Sequence, residues 1–371
     1  MNILSVIETK DLNTGGPIYL CNSQKRFLSN RCYIKIISLE NVSLMRILMY
    51  FLGYKNKELT NLLLKFSVVH FHQVWNLRHQ ILAIKLRKLS IPFMFSLHGH
   101  FDIWSVNRNY FPKKIFYYFF KKNFVNASGV QISTVDELKE ARIFTKNDDL
   151  KYFLISNGVE LNQYHAIQKN KEFNYNHIKL LFFGRIHPKK GIELILKAFN
   201  ELLSKNKNYT LTIVGPGDKF YLEKIHNLID DLKINSYIKI LKPIFDELDK
   251  TKLLKDHDIF ILPSFEEADS VALKEALACG IPVIISKQCR LNEVVDYKCG
   301  LVIENNKFED LLLAIQKISN KDLINIARDN ATRLIHEKYT SDLMNENFYE
   351  IYYDAMNGTK LAKNWSCNNI L

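Results

Sequence analysis

A chain of 371 residues exceeds what one hydrophobic core usually organises, so two domains of about 150 to 200 residues are expected. Its composition, 47% apolar and 24% charged, is ordinary for a packed protein and excludes a largely disordered chain. The net charge of +12 is uneven: residues 1–172 carry 24 Lys and Arg against 12 Asp and Glu, and residues 173–371 carry 27 of each, so the first half is expected to face something anionic.

In chain order, Met1 to Glu8 reads as a short strand with an acidic end, without the basic lead and apolar stretch of a signal peptide. The longest apolar runs, such as Ile115 to Phe120, fall far short of the roughly 20 residues a membrane-spanning helix needs. A cytoplasmic chain is expected, peripheral to the inner membrane face if its basic half docks there. Short β-branched runs then alternate with helical patterns, the strands being Asn2 to Ile7, Tyr33 to Leu39, Ser67 to His72, Ile91 to Leu97, Gly129 to Ser133 and Tyr152 to Ser156. The polar stretch Asn162 to His177 lacks apolar period and lies where the charge balance changes, which marks a linker. Beyond it the alternation restarts, with strands at Ile178 to Phe183, Thr210 to Val214, Tyr237 to Leu241, Asp258 to Leu262, Pro282 to Ser286 and Gly300 to Ile303. Helical residues from about Asp322 to Asn357 follow. The pattern predicts an α/β protein of two Rossmann-like, doubly wound domains, residues 1–165 and 173–340, with a helical segment at 341–371. Six cysteines, at 21, 32, 279, 289, 299 and 367, form no Cys-x-x-Cys pair, so neither a disulfide scaffold nor a zinc site is indicated.

Ligands of open α/β sheets bind outside the carboxyl ends of the strands. After the first strand, Thr14-Gly15-Gly16-Pro17 allows close backbone approach and opens a helix whose free N–H groups suit a phosphate, although a plain tight turn explains the glycines equally. After the seventh strand, Gly184-Arg185-Ile186-His187-Pro188-Lys189-Lys190-Gly191 places a guanidinium and an ammonium in one strand-to-helix loop, a pattern that favours anion binding over two solvated surface cations. After Leu262-Pro263, Glu267 falls in an acidic loop. Ser270 is a good N-cap, and Glu275 lies about one turn into the helix that Gly280 ends. Two such carboxylates can grasp vicinal hydroxyls on an extended ligand, while dipole stabilisation alone is the competing account of Glu275.

Glu267 and Glu275 within EADSVALKEALACGIPVI, together with GRIHPKKG, IVGPGD, DIFILPS and the early TGGP, resemble the retaining glycosyltransferases of family 4, built on the GT-B fold. The match covers nearly the whole chain, strongly from about Ile178 to Ile303. The resemblance implies two Rossmann-like domains facing across a cleft, the first binding an acceptor and the second a nucleotide-sugar. It makes Arg185 and Lys190 ligands of the donor diphosphate, with the Gly15-Gly16 backbone against it. Glu275 would bind the ribose and Glu267 the donor sugar hydroxyls, and His98 would stand beside the reacting sugar. Where the family has Asn-Phe-Gly, this chain has Ala268-Asp269-Ser270. Ser270 keeps an N–H for phosphate, and Asp269 adds a negative charge near the donor.

The implied activity is a metal-independent, retaining sugar transfer from a nucleoside diphosphate sugar to a hydroxyl of a glycan or lipid-linked oligosaccharide, as in O-antigen or capsule assembly. The competing readings are a nucleotide-sugar epimerase of the same fold and a non-catalytic glycan-assembly subunit. Asp256-His257-Asp258 matches a metal-binding Asp-x-Asp but precedes its strand, away from the ligand edge, so no metal is expected there. His70-x-His72 and His98-x-His100 lack acidic or cysteine partners, and buried or hydrogen-bonded imidazoles are expected at His70 and His100. Lys113, Lys114, Lys121 and Lys122 flank aromatics in a pattern that suits either a membrane-interface helix on acidic lipid or a core helix with solvated ends. Nucleic acid is not expected, since no binding motif accompanies the charge.

Overall fold

The computed structural model describes residues 1–9, 16–40, 42–43, 56–147, 149–165, 174, 176–206 and 208–358. The chain divides into two compact units, one built from Met1–Asn157 and the stretch beginning at Asp342, the other from Gly158–Ser341. The division falls before Asn162, where the polar stretch begins. Backbone contact sets it there: the Cβ position of Gly158 lies against the backbone of Thr340 and Ser341, and Tyr164, 3% exposed, belongs to the second core.

The first unit runs β1 (Asn2–Ile7), α1 (Gly16–Phe27), β2 (Tyr33–Ser38), α2 (Asn56–Leu63), β3 (Val68–Phe71), α3 (Leu77–Lys88), β4 (Phe93–Ser96), α4 (Ile103–Arg108), α5 (Tyr110–Asn126), β5 (Gly129–Ile132), α6 (Val135–Thr145) and β6 (Tyr152–Leu154). Its sheet has the order β2-β1-β3-β4-β5-β6, all strands parallel. Successive side chains of a strand point to opposite faces, and here both faces are covered. Leu4, Val69, Phe71, Phe93 and Phe95 pack with Leu86 of α3, Phe124 of α5 and Leu138 of α6. Ile3, Val68, Met94 and Phe153 pack on the other side. Burial of both faces is why these strands read as uninterrupted apolar runs.

The second unit runs β7 (Ile178–Phe183), α7 (Ile192–Lys205), β8 (Tyr209–Val214), α8 (Lys219–Asp231), β9 (Ile238–Leu241), α9 (Glu247–Asp256), β10 (Ile259–Leu262), α10 (Val271–Ala278), β11 (Val283–Ser286), β12 (Gly300–Ile303), α11 (Phe308–Ile318) and α12 (Lys321–Lys338). Its parallel sheet has the order β12-β11-β10-β7-β8-β9. The winding direction reverses between β7 and β10, and such a switch point is where doubly wound sheets hold ligands. The loops singled out in the sequence, Gly184 to Lys190 and Pro263 to Ser270, leave these two neighbouring strands.

The helical residues from Asp322 to Asn357 form two helices. Tyr339 leaves helical geometry, Thr340 forms a parallel bridge with Val159, and α13 (Ser341–Asn357) follows. Phe348, Ile351 and Tyr352 of α13 complete the core of the first unit beside Ile3, Val68 and Met94.

Candidate functional site

In the second unit three loops meet at the switch point, and glycine makes their approach feasible. Gly215, after β8, has φ +150°, and a Cβ there would overlap the carbonyl oxygen of Gly184. Gly191, at φ +70°, closes the β7 loop where a Cβ would overlap the carbonyl oxygen of Pro263. Main-chain bonds tie the layers: Phe265 N–H donates to the Lys189 carbonyl at 2.7 Å, and Glu267 N–H to the Gln288 carbonyl at 3.2 Å. His187 accepts from the Lys189 N–H through Nδ1, which shapes the short turn Pro188–Lys190.

Lys190 and Glu267 meet on this framework. The Lys190 ammonium is ion-paired to Glu267 Oε1, and the Ser264 hydroxyl donates to the same oxygen at 2.7 Å. Burial alone would raise the Glu267 carboxyl, but Lys190, Ser264 and the nearby Lys189 hold it below its ordinary value. Glu267 is therefore a carboxylate near neutral pH although only 7% exposed. Arg185 is exposed on the same β7 loop. Ser270 caps α10, its side chain accepting from the Leu273 N–H at 3.4 Å.

Glu275 stands on α10, the helix that Ser270 caps. It is 3% exposed and bound to the Lys250 ammonium of α9 at 2.6 Å. Lys250 also holds Glu247 at 2.7 Å. Burial would depress the Lys250 ammonium, but the two carboxylates around it raise it above its usual value. Glu267 and Glu275 are thus engaged by different cations. Asp269 is not the uncompensated charge its sequence position implies, because Lys274, 1% exposed, pairs with it at 2.5 Å. That ammonium also lies 4.3 Å from the ring centre of Tyr339. The Asp256 carboxylate is bound by the Lys179 ammonium at 2.9 Å. Asp258 accepts from the Lys179 backbone N–H at 2.9 Å. Both sit at the amino end of β10, away from the loops described.

In the first unit, Gly15 lies outside the described residues and Gly16 is the first residue of α1. His98 follows β4 in a left-handed turn, φ +48°, with Gly99 at φ +77°. Its Nε2 lies 3.3 Å from Nδ1 of His72, which follows β3. His70 is held between the Tyr352 hydroxyl at 2.8 Å and the Ser96 hydroxyl at 2.7 Å. Burial pushes His98 down to about 4, and His70 and His100 to about 3, so all three are neutral at physiological pH. His70 is fully buried, as its position in a strand suggested.

Sequence reasoning missed Ser264, Lys250, Lys274 and Glu137. Glu137 stands in α6 three residues after Thr134, which caps that helix. That capping-box spacing was the only signal it offered.

Residues 163–338 match the family described as glycosyl transferases group 1. That stretch is a group 1 glycosyltransferase domain. Over 193 residues the chain is 31% identical to an uncharacterised glycosyltransferase of Methanocaldococcus jannaschii, covering 50% of the chain and 48% of that relative. It is also 26% identical over 227 residues to the UDP-Gal:alpha-D-GlcNAc-diphosphoundecaprenol alpha-1,3-galactosyltransferase of Escherichia coli, covering 56% of each. The chain spans about half the length of the curated relatives it matches. A solved structure of HepE from Anabaena, in complex with UDP-glucose, superposes with a TM-score of 0.75 at 16% identity, covering 95% of this chain and 100% of that one. The fold of the chain is GT-B.

Proposed function

We propose that this protein moves a sugar, with retention at the anomeric carbon, from a nucleoside diphosphate to a hydroxyl of a glycan or lipid-linked oligosaccharide in cell-surface polysaccharide assembly. The observation that carries the reading is the Lys190–Glu267 pair at the switch point of the second sheet. A departing diphosphate gains negative charge as the glycosidic bond breaks, and preorganised cations aimed at it lower that barrier. Lys190 and Arg185 would supply this charge, and the first N–H groups of α10 would add to it. Glu267, kept ionised by its neighbours, would accept hydrogen bonds from donor sugar hydroxyls. Glu275 would bind the ribose through the carboxylate that Lys250 orients. In the first unit the neutral His98 would hydrogen-bond the transferred sugar, and the Gly15-Gly16 backbone would meet the diphosphate. No step requires a metal. UDP-linked donors are favoured because the E. coli relative is named for UDP-Gal and the Anabaena structure holds UDP-glucose.

The acceptor reading is supported by α5. Phe111, Ile115, Tyr118 and Phe119 are 77%, 58%, 78% and 73% exposed, and their spacing gathers them on one side of the helix. Lys121 and Lys122 are exposed beside them. Lys113 and Lys114 turn inward instead: the first donates to the Ser105 hydroxyl at 2.9 Å, the second to the Phe144 carbonyl. An aromatic stripe flanked by two outward lysines suits the interface of an anionic membrane, where a lipid-linked acceptor resides. Among the described residues no helix is long and apolar enough to cross a membrane.

The test is a thermal-shift screen of nucleoside diphosphates and their sugars, followed by product analysis. A ligand at 100 times its Kd stabilises by about 2.7 kcal/mol. Stabilisation by one nucleotide-sugar and an acceptor-dependent product of retained configuration are expected. Donor turnover without acceptor would instead indicate an epimerase, and no response to any nucleotide would point to a non-catalytic subunit. For the membrane, replacing Phe111, Ile115, Tyr118 and Phe119 by Ser should release the protein from vesicles of acidic lipid. Equal pelleting of variant and wild type would remove the membrane reading.

A further inference from the structure

We propose that Glu137 is a positioning residue for the transfer reaction, a buried carboxylate clamp that sets the place and orientation of His98. The inference rests on the transferase reading of His98, and the observations behind it are independent of that reading. Glu137 is 0% exposed and stands in the first turn of α6. Its Oε1 accepts from the Gly99 N–H at 2.6 Å, and its Oε2 accepts from the Ser133 N–H at 2.7 Å. One carboxylate therefore joins the loop after β4 to the loop after β5.

The loop after β4 needs such a restraint. Two consecutive left-handed residues, one of them a histidine with a Cβ, make a conformation that persists only where its surroundings impose it. The turn's own bonds are few: His100 N–H to the Leu97 carbonyl at 3.0 Å and Asp102 N–H to the Gly99 carbonyl at 3.2 Å. Glu137 is itself immobilised, because the Thr134 hydroxyl oxygen accepts from its backbone N–H at 3.2 Å while both carboxylate oxygens are taken by backbone donors. On the far side, the His98 ring faces His72 with 5.6 Å between centroids and 19° between planes. His98 is thus held from one side through the adjoining Gly99 N–H on Glu137 and from the other through its ring by His72.

A carboxylate can accept two N–H bonds at once, whereas an amide of the same shape accepts at one end and turns a donor on the other. Glu137→Gln keeps the volume and removes one arm of the clamp. The full-length protein is assayed with the nucleotide-sugar that stabilises it, using Glu137→Gln, His98→Ala and the double variant. Glu137→Gln is expected to lower kcat about 100-fold, the scale of a misplaced catalytic contact, while donor KM stays within about twofold. If Glu137 acts through His98, the double variant is no slower than His98→Ala alone. Multiplying losses, or an unchanged kcat in a folded Glu137→Gln, would overturn the proposal.

Two spectroscopic readouts stand apart from activity. The His98 imidazole Cε1–H resonance should move in Glu137→Gln, and an unmoved resonance would refute the clamp. In the wild type the Gly99 amide proton should resonate well downfield, as a short charge-assisted bond requires. An ordinary shift there refutes the clamp even where the variant does not fold. Absence of any sugar transfer by the wild type would remove the reaction and leave these two measurements to decide the position of Glu137.

Discussion

Lys190→Ala tests the second unit most directly, because it acts on stability and on turnover by separable routes. In the wild type the ammonium neutralises a carboxylate whose side chain is 9% exposed, and the Lys190 side chain is 13% exposed. Removing one partner of a buried pair leaves the other uncompensated, at a cost of about 3 to 5 kcal/mol. At the lower bound, the open population of the second unit rises roughly a hundredfold, which amide hydrogen exchange at β7 and β10 reads directly. The sign of the pH dependence follows from Glu267. Its folded carboxyl lies below the ordinary value, so the wild-type pair contributes stability that is present above the unfolded carboxyl range and is lost as pH falls through the folded value. Without Lys190, burial pushes the same group upward, so the variant is penalised most at neutral pH and relieved as Glu267 takes up a proton. The gap between variant and wild type should therefore narrow from pH 7.5 to pH 5. The double variant Lys190→Met with Glu267→Leu should recover most of the loss, since an apolar pair removes both charges. A loss below about 1 kcal/mol, or a gap independent of pH, would refute the argument.

Arg185→Ala should weaken transition-state binding by roughly 2 to 4 kcal/mol with little change in stability, because the side chain is exposed; near-normal kcat/KM in this variant would remove Arg185 from the diphosphate. Activity should survive chelation by EDTA, and a rate abolished by EDTA and restored by manganese would return a role to Asp256 and Asp258. The first unit should lose stability as pH falls from about 6.5 toward 4. Burial holds His98 and His79 down to about 4 and His70 and His100 to about 3, so the unfolded chain binds protons first. The slope is up to about 1.4 kcal/mol per pH unit for each such histidine, and a flat unfolding profile over that range would contradict the neutral histidine cluster.

Much of the fold was legible because parallel strands covered on both faces must be apolar throughout, and β1 and β7 have the bounds that pattern implied. The packing of α13 on the first unit was not legible: Phe348, Ile351 and Tyr352 meet Ile3, Val68 and Met94 across a sequence distance that no local periodicity records. The loop cations and Glu267 could be found because strand ends, glycines and charge coincide in short windows. Lys250 could not, since its spacing on α9 relates it to Glu247 and nothing links it to Glu275 on another helix. Lys274 shows what local reading leaves out at Asp269: its ammonium reaches back past the N-cap to pair with a charge read only as an added negative charge near the donor. Lys113 and Lys114 were expected to face outward with Lys121 and Lys122, but aromatic neighbours and carbonyl acceptors draw them in.

The return of α13 to the first unit reverses the order in which synthesis can finish the two cores. The second unit is one continuous stretch, Gly158–Ser341, and is complete as soon as that stretch leaves the ribosome. The first begins to emerge earlier, yet lacks Phe348, Ile351 and Tyr352 against β1, β3 and β4 until α13 has been translated. At about 5 to 20 residues per second the sheet of the first unit waits roughly 10 to 40 seconds with one apolar face only partly covered, by Leu20 of α1. A premature stop near Ser341 would then damage the part of the protein made first and spare the part made last. His70 would lose its Tyr352 partner, so a lesion after the second unit would be felt beside His98.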